Sequence, residues 1–139
     1  VFELLFQLYH NFARAMPEKL LRKKEQNFNR LDLVLKYTDE HYNEPITLSE
    51  ISVIACFEES YFCHFFKKNM GITYFQYLNE LRLSHIHHDL VSTDLPLKLL
   101  LEKHGFTNYK LFRKMFYEEF HTTPNTYRKL QLPAPSESI

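Results

Sequence analysis

Hydrophobic residues recur three and four positions apart along most of the chain, which is the repeat of an amphipathic α-helix. Capping motifs and helix-stop residues divide this pattern into segments. The predicted helices cover residues 2–16, 29–42, 48–55, 59–70, 74–90, 97–104, 108–119 and 124–130. Only two Gly and no Trp, with 45% hydrophobic content in 139 residues, agree with a helical protein that has a real core. The predicted fold class is all-α.

Two capping boxes mark helix starts. In the first, the Thr47 hydroxyl is expected to accept from the Glu50 amide while the Glu50 carboxylate reaches back, and Thr73 with Gln76 forms the second. Gly71 is expected to end the helix before that second box. The long helix that follows has these predicted buried positions: Phe75, Leu78, Leu81, Ile86 and Leu90.

A short helix, a turn, an amphipathic helix and a capped exit helix occur twice in the sequence, about fifty residues apart. In the alignment Phe65-Phe66-Lys67 corresponds to Met115-Phe116-Tyr117, and Gly71-Ile72-Thr73 to His121-Thr122-Thr123. This pattern predicts two helix-turn-helix subdomains joined by a long linker helix. The expected division is residues 1–27 (N-terminal helix and linker), 28–92 (first subdomain with linker helix), 93–131 (second subdomain) and 132–139 (flexible tail).

The segment at residues 2–16 predicts a separate N-terminal helix that is apolar over most of its circumference. Such a helix is expected to bury against a partner subunit or a domain outside this chain; packing on its own chain is the alternative. The chain begins at Val1, and we expect it to be a fragment. The predicted dimerisation residues are Phe2, Leu5, Phe6, Tyr9 and Phe12.

Seventeen basic and seventeen acidic residues cancel over the whole chain, which lacks the basic surplus typical of a nucleic-acid binder. The charges are unevenly placed, however. Residues 45–91 carry three basic and five acidic side chains, net −2, whereas residues 94–131 carry seven basic and four acidic, net +3. Attraction to phosphate is therefore expected mainly from the second unit.

The remaining chemistry is sparse. Cys56 and Cys63 fit neither a disulfide framework nor a zinc site, and with no apolar run of about 18 residues and no signal peptide the chain is expected in the cytoplasm. His85 and Asp89, one helical turn apart, could hold a divalent metal, although surface histidines are the simpler interpretation. No phosphate loop, nucleophile elbow or catalytic carboxylate pair occurs, so neither an enzyme nor a cofactor is expected.

A set of ordered motifs gives the chain a family resemblance over residues 28–131. They are Tyr61-Phe62, Phe65-Phe66-Lys67-Lys68, Gly71-Ile72-Thr73, Tyr77-Leu78, Arg82-Leu83, Gly105-Phe106, Leu111-Phe112, Phe116, Thr123-Pro124 and Tyr127-Arg128. With these residues the chain resembles the DNA-binding domain of the arabinose-operon-regulator (AraC/XylS) family of bacterial transcription factors. The resemblance implies two recognition helices that enter successive major-groove segments of double-stranded DNA. It also implies an upstream effector and dimerisation domain, a homodimer in full length, and RNA polymerase as a further partner.

Four positions depart from the family pattern. Leu101 and Ile86 stand where the family usually has a small Ala, Glu58 replaces a Ser or Thr at the start of the first recognition helix, and His121 replaces a Gly at a turn. The Glu58 charge suits the helix dipole but would repel a nearby phosphate.

The exposed faces of the two recognition helices supply the predicted DNA contacts. The predicted base-reading residues are Ser60, Cys63, His64, Lys67, Asn108, Tyr109, Lys110, Arg113 and Lys114. The predicted phosphate contacts are Lys68, Thr107, Tyr117 and Arg128, while Arg82 is expected to be structural. The predicted function is sequence-specific DNA binding by a transcription regulator; the alternative is a helical protein-interaction module of the same fold that binds DNA weakly or not at all.

Overall fold

This computed structural model describes Leu4 and residues 18–131, which contain seven helices and no strand. The helices are α1 (Glu18–His41), α2 (Leu48–Ile54), α3 (Glu59–Met70), α4 (Tyr74–Ser92), α5 (Leu97–Lys103), α6 (Tyr109–Phe120) and α7 (Pro124–Gln131). None of the helices in this part of the chain is long and apolar enough to cross a membrane. The five predicted dimerisation residues and the predicted tail at 132–139 lie outside the described residues.

Helix α1 is longer than predicted, because residues 18–27 continue it without a break. Their Glu, Lys, Leu, Arg and Gln side chains are good helix formers, so the charged linker, for which the sequence leaves a helix open, extends α1. Its buried face includes Leu31, Val34 and Thr38. Thr38 donates to the Val34 carbonyl (2.7 Å) and therefore accepts from the Tyr74 hydroxyl (2.7 Å). Burial raises the pKa of Tyr74 to about 12.

The two predicted capping boxes differ in outcome. At α4 the box is complete: Gln76 N–H donates to Thr73 Oγ1 (3.2 Å) and Thr73 N–H donates to Gln76 Oε1 (2.9 Å). At α2 only half forms, since Glu50 N–H donates to Thr47 Oγ1 (3.1 Å). The Glu50 carboxylate accepts from the Tyr37 hydroxyl (2.6 Å) instead of reaching back. The predicted second half of that box is wrong because a neighbouring helix offers a closer donor.

Two separate cores lie along the molecule, and α4 contributes to both. Core 1 contains the buried residues Leu31, Val34, Ile46, Ile51, Ala55, Phe62, Phe65, Phe66, Tyr74 and Leu78. Core 2 contains Leu83, Ile86, Leu90, Leu100, Leu101, Phe106, Phe112 and Phe116. At 3.6 residues per turn, the two buried stretches of α4 point roughly 130° apart. The two helix-turn-helix units therefore pack on nearly opposite sides of one shared helix.

This change of side corrects the predicted buried face of α4. Phe75 is 41% exposed and Leu81 only partly buried, while Tyr74 and Leu83 take their places in the two cores. The prediction assumed one apolar face for the whole helix. Leu78, Ile86 and Leu90 are buried as predicted.

Two arginines donate hydrogen bonds to backbone carbonyls that lie about forty residues earlier in the chain, near the ends of helices. Arg82 donates from Nε to the Tyr42 carbonyl (2.7 Å) and from Nη2 to the Glu44 carbonyl (2.9 Å), just after α1. Arg128 donates from Nε to the Leu90 carbonyl (3.0 Å) near the end of α4. The Leu90 carbonyl belongs to the last turn of α4, where carbonyls lack partners within the helix, whereas the Tyr42 and Glu44 carbonyls belong to the loop after α1. Each guanidinium thus satisfies backbone acceptors near a helix end. The structural role predicted for Arg82 is confirmed.

Candidate nucleic-acid interface

The first candidate recognition helix, α3, runs from Glu59 to Met70 as predicted. Its inner side is fixed by Phe62, Phe65 and Phe66, all buried in core 1. Gly71 ends it in the left-handed conformation (φ 80°), which glycine adopts without strain. With one side of the helix held by three buried rings, the opposite side faces outward.

Glu58 begins α3 by capping it with its own side chain. Its two carboxylate oxygens accept from Ser60 N–H (3.1 Å) and Tyr61 N–H (3.3 Å). These backbone donors lower the pKa of Glu58. The capping charge satisfies the amides at the N-terminus of α3 and adds a negative charge there.

The contacts predicted on α3 all lie on its outward side. Ser60, Cys63, His64, Lys67 and Lys68 are exposed, and Cys63 is a free thiol. The two lysines stand in the last turn, at the opposite end from Glu58. The outer face of α3 is therefore acidic where the helix begins and basic where it ends.

The second candidate recognition helix, α6, has a neutral cap. Asn108 Oδ1 accepts from Leu111 N–H (3.1 Å), while Phe112 and Phe116 are buried in core 2. His121 follows the helix in the left-handed conformation (φ 57°), at the turn where the resemblance leads one to expect Gly. The Asn108 oxygen is engaged in the cap, so base reading by this residue would fall to its amide nitrogen and stays a prediction.

Apart from Arg128, the predicted contacts of the second unit are likewise exposed, and most of them meet in one place. Between α6 and the start of α7 lies an open groove of about 480 Å³. Its lining residues are Tyr109, Lys110, Arg113, Lys114, Tyr117, Glu118, Thr122, Thr123 and Pro124. Thr107 and Asn108 are exposed just before the helix. Thr122 and Thr123 were missed as groove residues because Thr123-Pro124 was interpreted only as a helix start.

The cations of this groove are available for an anionic partner. Among the described residues, no carboxylate forms an ion pair with Lys110, Arg113 or Lys114. The Arg113 guanidinium lies over the Tyr109 ring, 5.8 Å from its centroid, which is within cation–π range. Unpaired cations in the first two turns of a helix suit the phosphates and base edges of a major groove.

Arg128 lies apart from the other predicted phosphate contacts. It is partly buried, its Nε is committed to the Leu90 carbonyl, and its Nη2 is enclosed by protein. Arg128 therefore contributes to the packing of α7 on α4, and its predicted phosphate contact stays a prediction.

The His85 and Asp89 pair has other partners than a metal. Asp89 accepts from His104 Nε2 (2.7 Å) and Lys103 Nζ (2.8 Å), whereas His85 stacks on Tyr42 with ring centroids 4.1 Å apart. Within the described residues, no group of three or more His, Cys, Asp or Glu side chains is arranged to hold a metal ion. The sequence pattern did not predict these contacts, because Tyr42 and His104 are 62 residues apart in the chain.

Comparison with known proteins agrees with this architecture. The profile of a helix-turn-helix domain family matches residues 51–130. An uncharacterised HTH-type transcriptional regulator of Staphylococcus aureus (strain COL) is 27% identical over 128 residues, which is 92% of this chain and 17% of the relative. The chain thus spans about a sixth of that relative's length.

Solved structures show the same fold. The C-terminal domain of the two-component response regulator yesN from Fusobacterium nucleatum is 30% identical, with a TM-score of 0.65, covering 72% of this chain and 98% of that one. A probable AraC family transcriptional regulator from Rhodopseudomonas palustris is 20% identical with a TM-score of 0.69, covering 76% and 99%. The DNA-binding domain of AdpA, solved in complex with a target DNA, is 21% identical with a TM-score of 0.64, covering 70% and 87%.

Proposed function

The chain belongs to the AraC-type helix-turn-helix family of transcriptional regulators, and we propose that it binds double-stranded DNA sequence-specifically, with α3 and α6 in successive major-groove segments. The observation that carries this proposal is the groove beside α6, where Lys110, Arg113 and Lys114 are exposed and form no ion pair with any residue that the structure describes. The AdpA domain, of similar fold, was solved on DNA. The proposed activity is binding rather than catalysis.

We assign different shares of this binding to the two units. The cations of α6 lie in its first two turns, which enter a major groove most deeply in helix-turn-helix proteins. The cations of α3 lie in its last turn, behind the Glu58 charge. We therefore propose that α6 supplies more of the affinity, while Ser60, Cys63, His64 and Lys67 add sequence discrimination. Lys68, Thr107 and Tyr117 are the proposed phosphate contacts.

A salt titration of duplex binding is the primary test. Phosphate contacts release counterions, so the logarithm of the binding constant should fall linearly with the logarithm of the salt concentration. The slope of this line reports the number of phosphate contacts. Lys68→Ala, which removes the charged member of the proposed phosphate contacts, should reduce the slope by about one contact. Lys36→Ala, which removes an exposed lysine paired with Asp32 on α1, should leave the slope unchanged. Binding that does not depend on salt would refute the proposal and favour the protein-interaction module.

Sequence preference requires a second experiment. Duplexes selected from a random pool would give the preferred site, and Arg113→Ala and His64→Ala would be measured on that site and on a scrambled one. Loss of a base contact typically costs about 1–3 kcal/mol of discrimination. If both variants kept the wild-type affinity and preference, the assigned reading faces would be wrong.

Three further features of the whole protein are proposals. We propose a homodimer formed through the apolar segment at residues 2–16 or a domain upstream of this chain, and RNA polymerase as a partner, on the strength of the family resemblance. Sedimentation of this chain with and without residues 1–16, over a range of concentrations, tests the first point. The two exposed free thiols suit a reducing compartment, and we propose that the protein works in the cytoplasm.

A further inference from the structure

Polar side chains from three helices and the segments that follow them meet between the two units in one connected cluster. Tyr42 follows α1, His85 and Asp89 lie on α4, and Lys103 and His104 close α5. His104 is only 5% exposed, although it belongs to the second unit and contacts Tyr42 of the first. We call these five residues the junction cluster.

Hydrogen bonds fix the His104 ring from both sides. The Asp89 carboxylate accepts from His104 Nε2 (2.7 Å) and from Lys103 Nζ (2.8 Å). An ionised carboxylate only accepts, so Nε2 donates to Asp89, while Nδ1 shares a hydrogen bond with the Tyr42 hydroxyl (2.9 Å). Both ring nitrogens are thereby satisfied, and the ring orientation is tied to both units.

Stacking and backbone contact complete the junction. The His85 ring lies parallel to Tyr42 (4.1 Å, 7°) and nearly parallel to His104 (5.7 Å, 19°). The turn at Gly105 comes so close to the loop after α1 that a Cβ there would lie 2.4 Å from the Asn43 carbonyl oxygen. Gly105 stands four residues before α6 begins, so any movement of this turn would move α6.

We propose that the junction cluster sets the separation and orientation of α3 and α6, and thereby the spacing of the two DNA segments that the chain accepts. Tyr42, Asp89 and His104 are positioning residues, since they act through the placement of α6. Hydrogen bonds are directional, whereas the apolar contacts of the two cores tolerate small rotations, so the cluster supplies orientation that the cores leave adjustable. This inference rests on the proposed DNA binding for its consequence, but the geometric part is measurable without DNA.

Spacing discrimination is the binding test. Affinity would be measured for the selected duplex and for the same duplex lengthened by one base pair between its two contacted segments. Tyr42→Phe removes only the hydroxyl that reaches His104. We divide the affinity for the selected duplex by the affinity for the lengthened duplex, and we expect this ratio to be about three- to tenfold lower in the variant than in the wild type, the effect of one hydrogen bond. Tyr37→Phe is the matched control, because that hydroxyl binds Glu50 within the first unit. A positioning role changes the ratio, whereas a general loss of folding lowers both affinities together.

Distances in the free protein provide a second measurement. Spin labels would be placed on Cys63 and on Lys114→Cys in a Cys56→Ser background, so that one label sits on each recognition helix. Tyr42→Phe and Asp89→Asn are expected to broaden or shift the distance distribution, and Tyr37→Phe to leave it unchanged. An unaltered distribution together with an unaltered spacing ratio would overturn the inference. If the wild type bound no duplex at all, the proposed function would fail, while the distances would still decide whether the cluster positions the helices.

Discussion

Four residues in the described part of the chain have a left-handed backbone, and they form two equivalent pairs. Cys56 (φ 58°) and Gly105 (φ 70°) occupy the turn between the short helix and the recognition helix of each unit. Gly71 (φ 80°) and His121 (φ 57°) follow the two recognition helices. A Cβ in this conformation costs roughly 1–2 kcal/mol for most residues. Each unit therefore keeps one glycine and carries one strained residue, at complementary places.

Restoring glycine at the strained positions should stabilise the protein. Cys56→Gly and His121→Gly are each expected to raise the free energy of unfolding by about 0.5–1 kcal/mol, because relief of strain exceeds the added chain entropy of glycine. Urea denaturation would measure the change. Cys56→Ser keeps the Cβ and serves as the control. A Cys56→Gly variant less stable than Cys56→Ser would contradict the role assigned to backbone strain.

The reverse substitution should separate strain from collision. Gly71→Ala meets no atom within 4 Å, so it should cost only the left-handed penalty, about 1 kcal/mol. Gly105→Ala adds a clash with the backbone of Asn43 and should cost about 1–3 kcal/mol more. Unfolding curves of the two variants give the difference. Equal losses would mean that the contact between Asn43 and Gly105 is looser than the structure has it.

The two recognition helices are alike in length and burial but differ in how they begin. Both have twelve residues, and both bury phenylalanines one turn apart. Glu58 caps α3 with a charge, whereas Asn108 caps α6 without one. Since the beginning of a recognition helix lies nearest the DNA, this difference bears on binding more than on folding.

Exchanging the cap should therefore raise DNA affinity. Glu58→Asn keeps a good capping side chain and removes the charge. If a phosphate lies about 10 Å away in water-like surroundings, affinity should rise about twofold at low salt. Duplex titrations would measure it, with Glu40→Gln on α1 as a control for net charge. Weaker binding by a fully folded Glu58→Asn would show that the carboxylate assists binding.

The stability of the molecule should also respond to pH through its histidines. Burial lowers the pKa of His85 and of His87; at His85 the nearby His104 adds to this, while Asp39 and Asp89 oppose it. His85 stacks on Tyr42 and His104, and His87 on Phe120. A depressed histidine pKa means that the unfolded chain binds more protons, so this stabilisation is present above about pH 6.5 and is lost as the pH falls.

We expect the urea midpoint to be lower at pH 5.5 than at pH 7.5. His85→Gln and His87→Gln should each remove part of that decrease, and the double variant most of it. Asp89 acts in a lower window, because Lys103 and His104 lower its pKa: its contribution is present above about pH 4 and is lost as the pH falls through the lowered value. A double variant with the full wild-type decrease would exclude these two histidines as its cause.

Local signals account for what the sequence predicted well. The bounds of α3, the caps at Thr73 and Gly71, and the duplicated units follow from residues within a few positions of one another. The misses involve distant partners. The Tyr37 hydroxyl binds the Glu50 carboxylate, which therefore does not complete its capping box. Tyr42 and His104 form a hydrogen bond although they are 62 residues apart. The buried side of α4 changes along the helix because its two halves pack in different cores. The outward sides of α3 and α6 followed from helix periodicity once the aromatic side was known, and base reading from them stays a prediction.

Because α4 contributes to both cores, we expect neither unit to fold without the other. Leu83, Ile86 and Leu90 of α4 complete core 2, while Tyr74 and Leu78 complete core 1. A chain that ended after α4 would expose Leu83, Ile86 and Leu90 to solvent. A chain that began at α4 would expose Tyr74 and Leu78 instead. Hydrogen exchange should therefore find the slowest amides in the middle of α4, opening only with the whole molecule. We therefore expect the two units to unfold as a single cooperative unit.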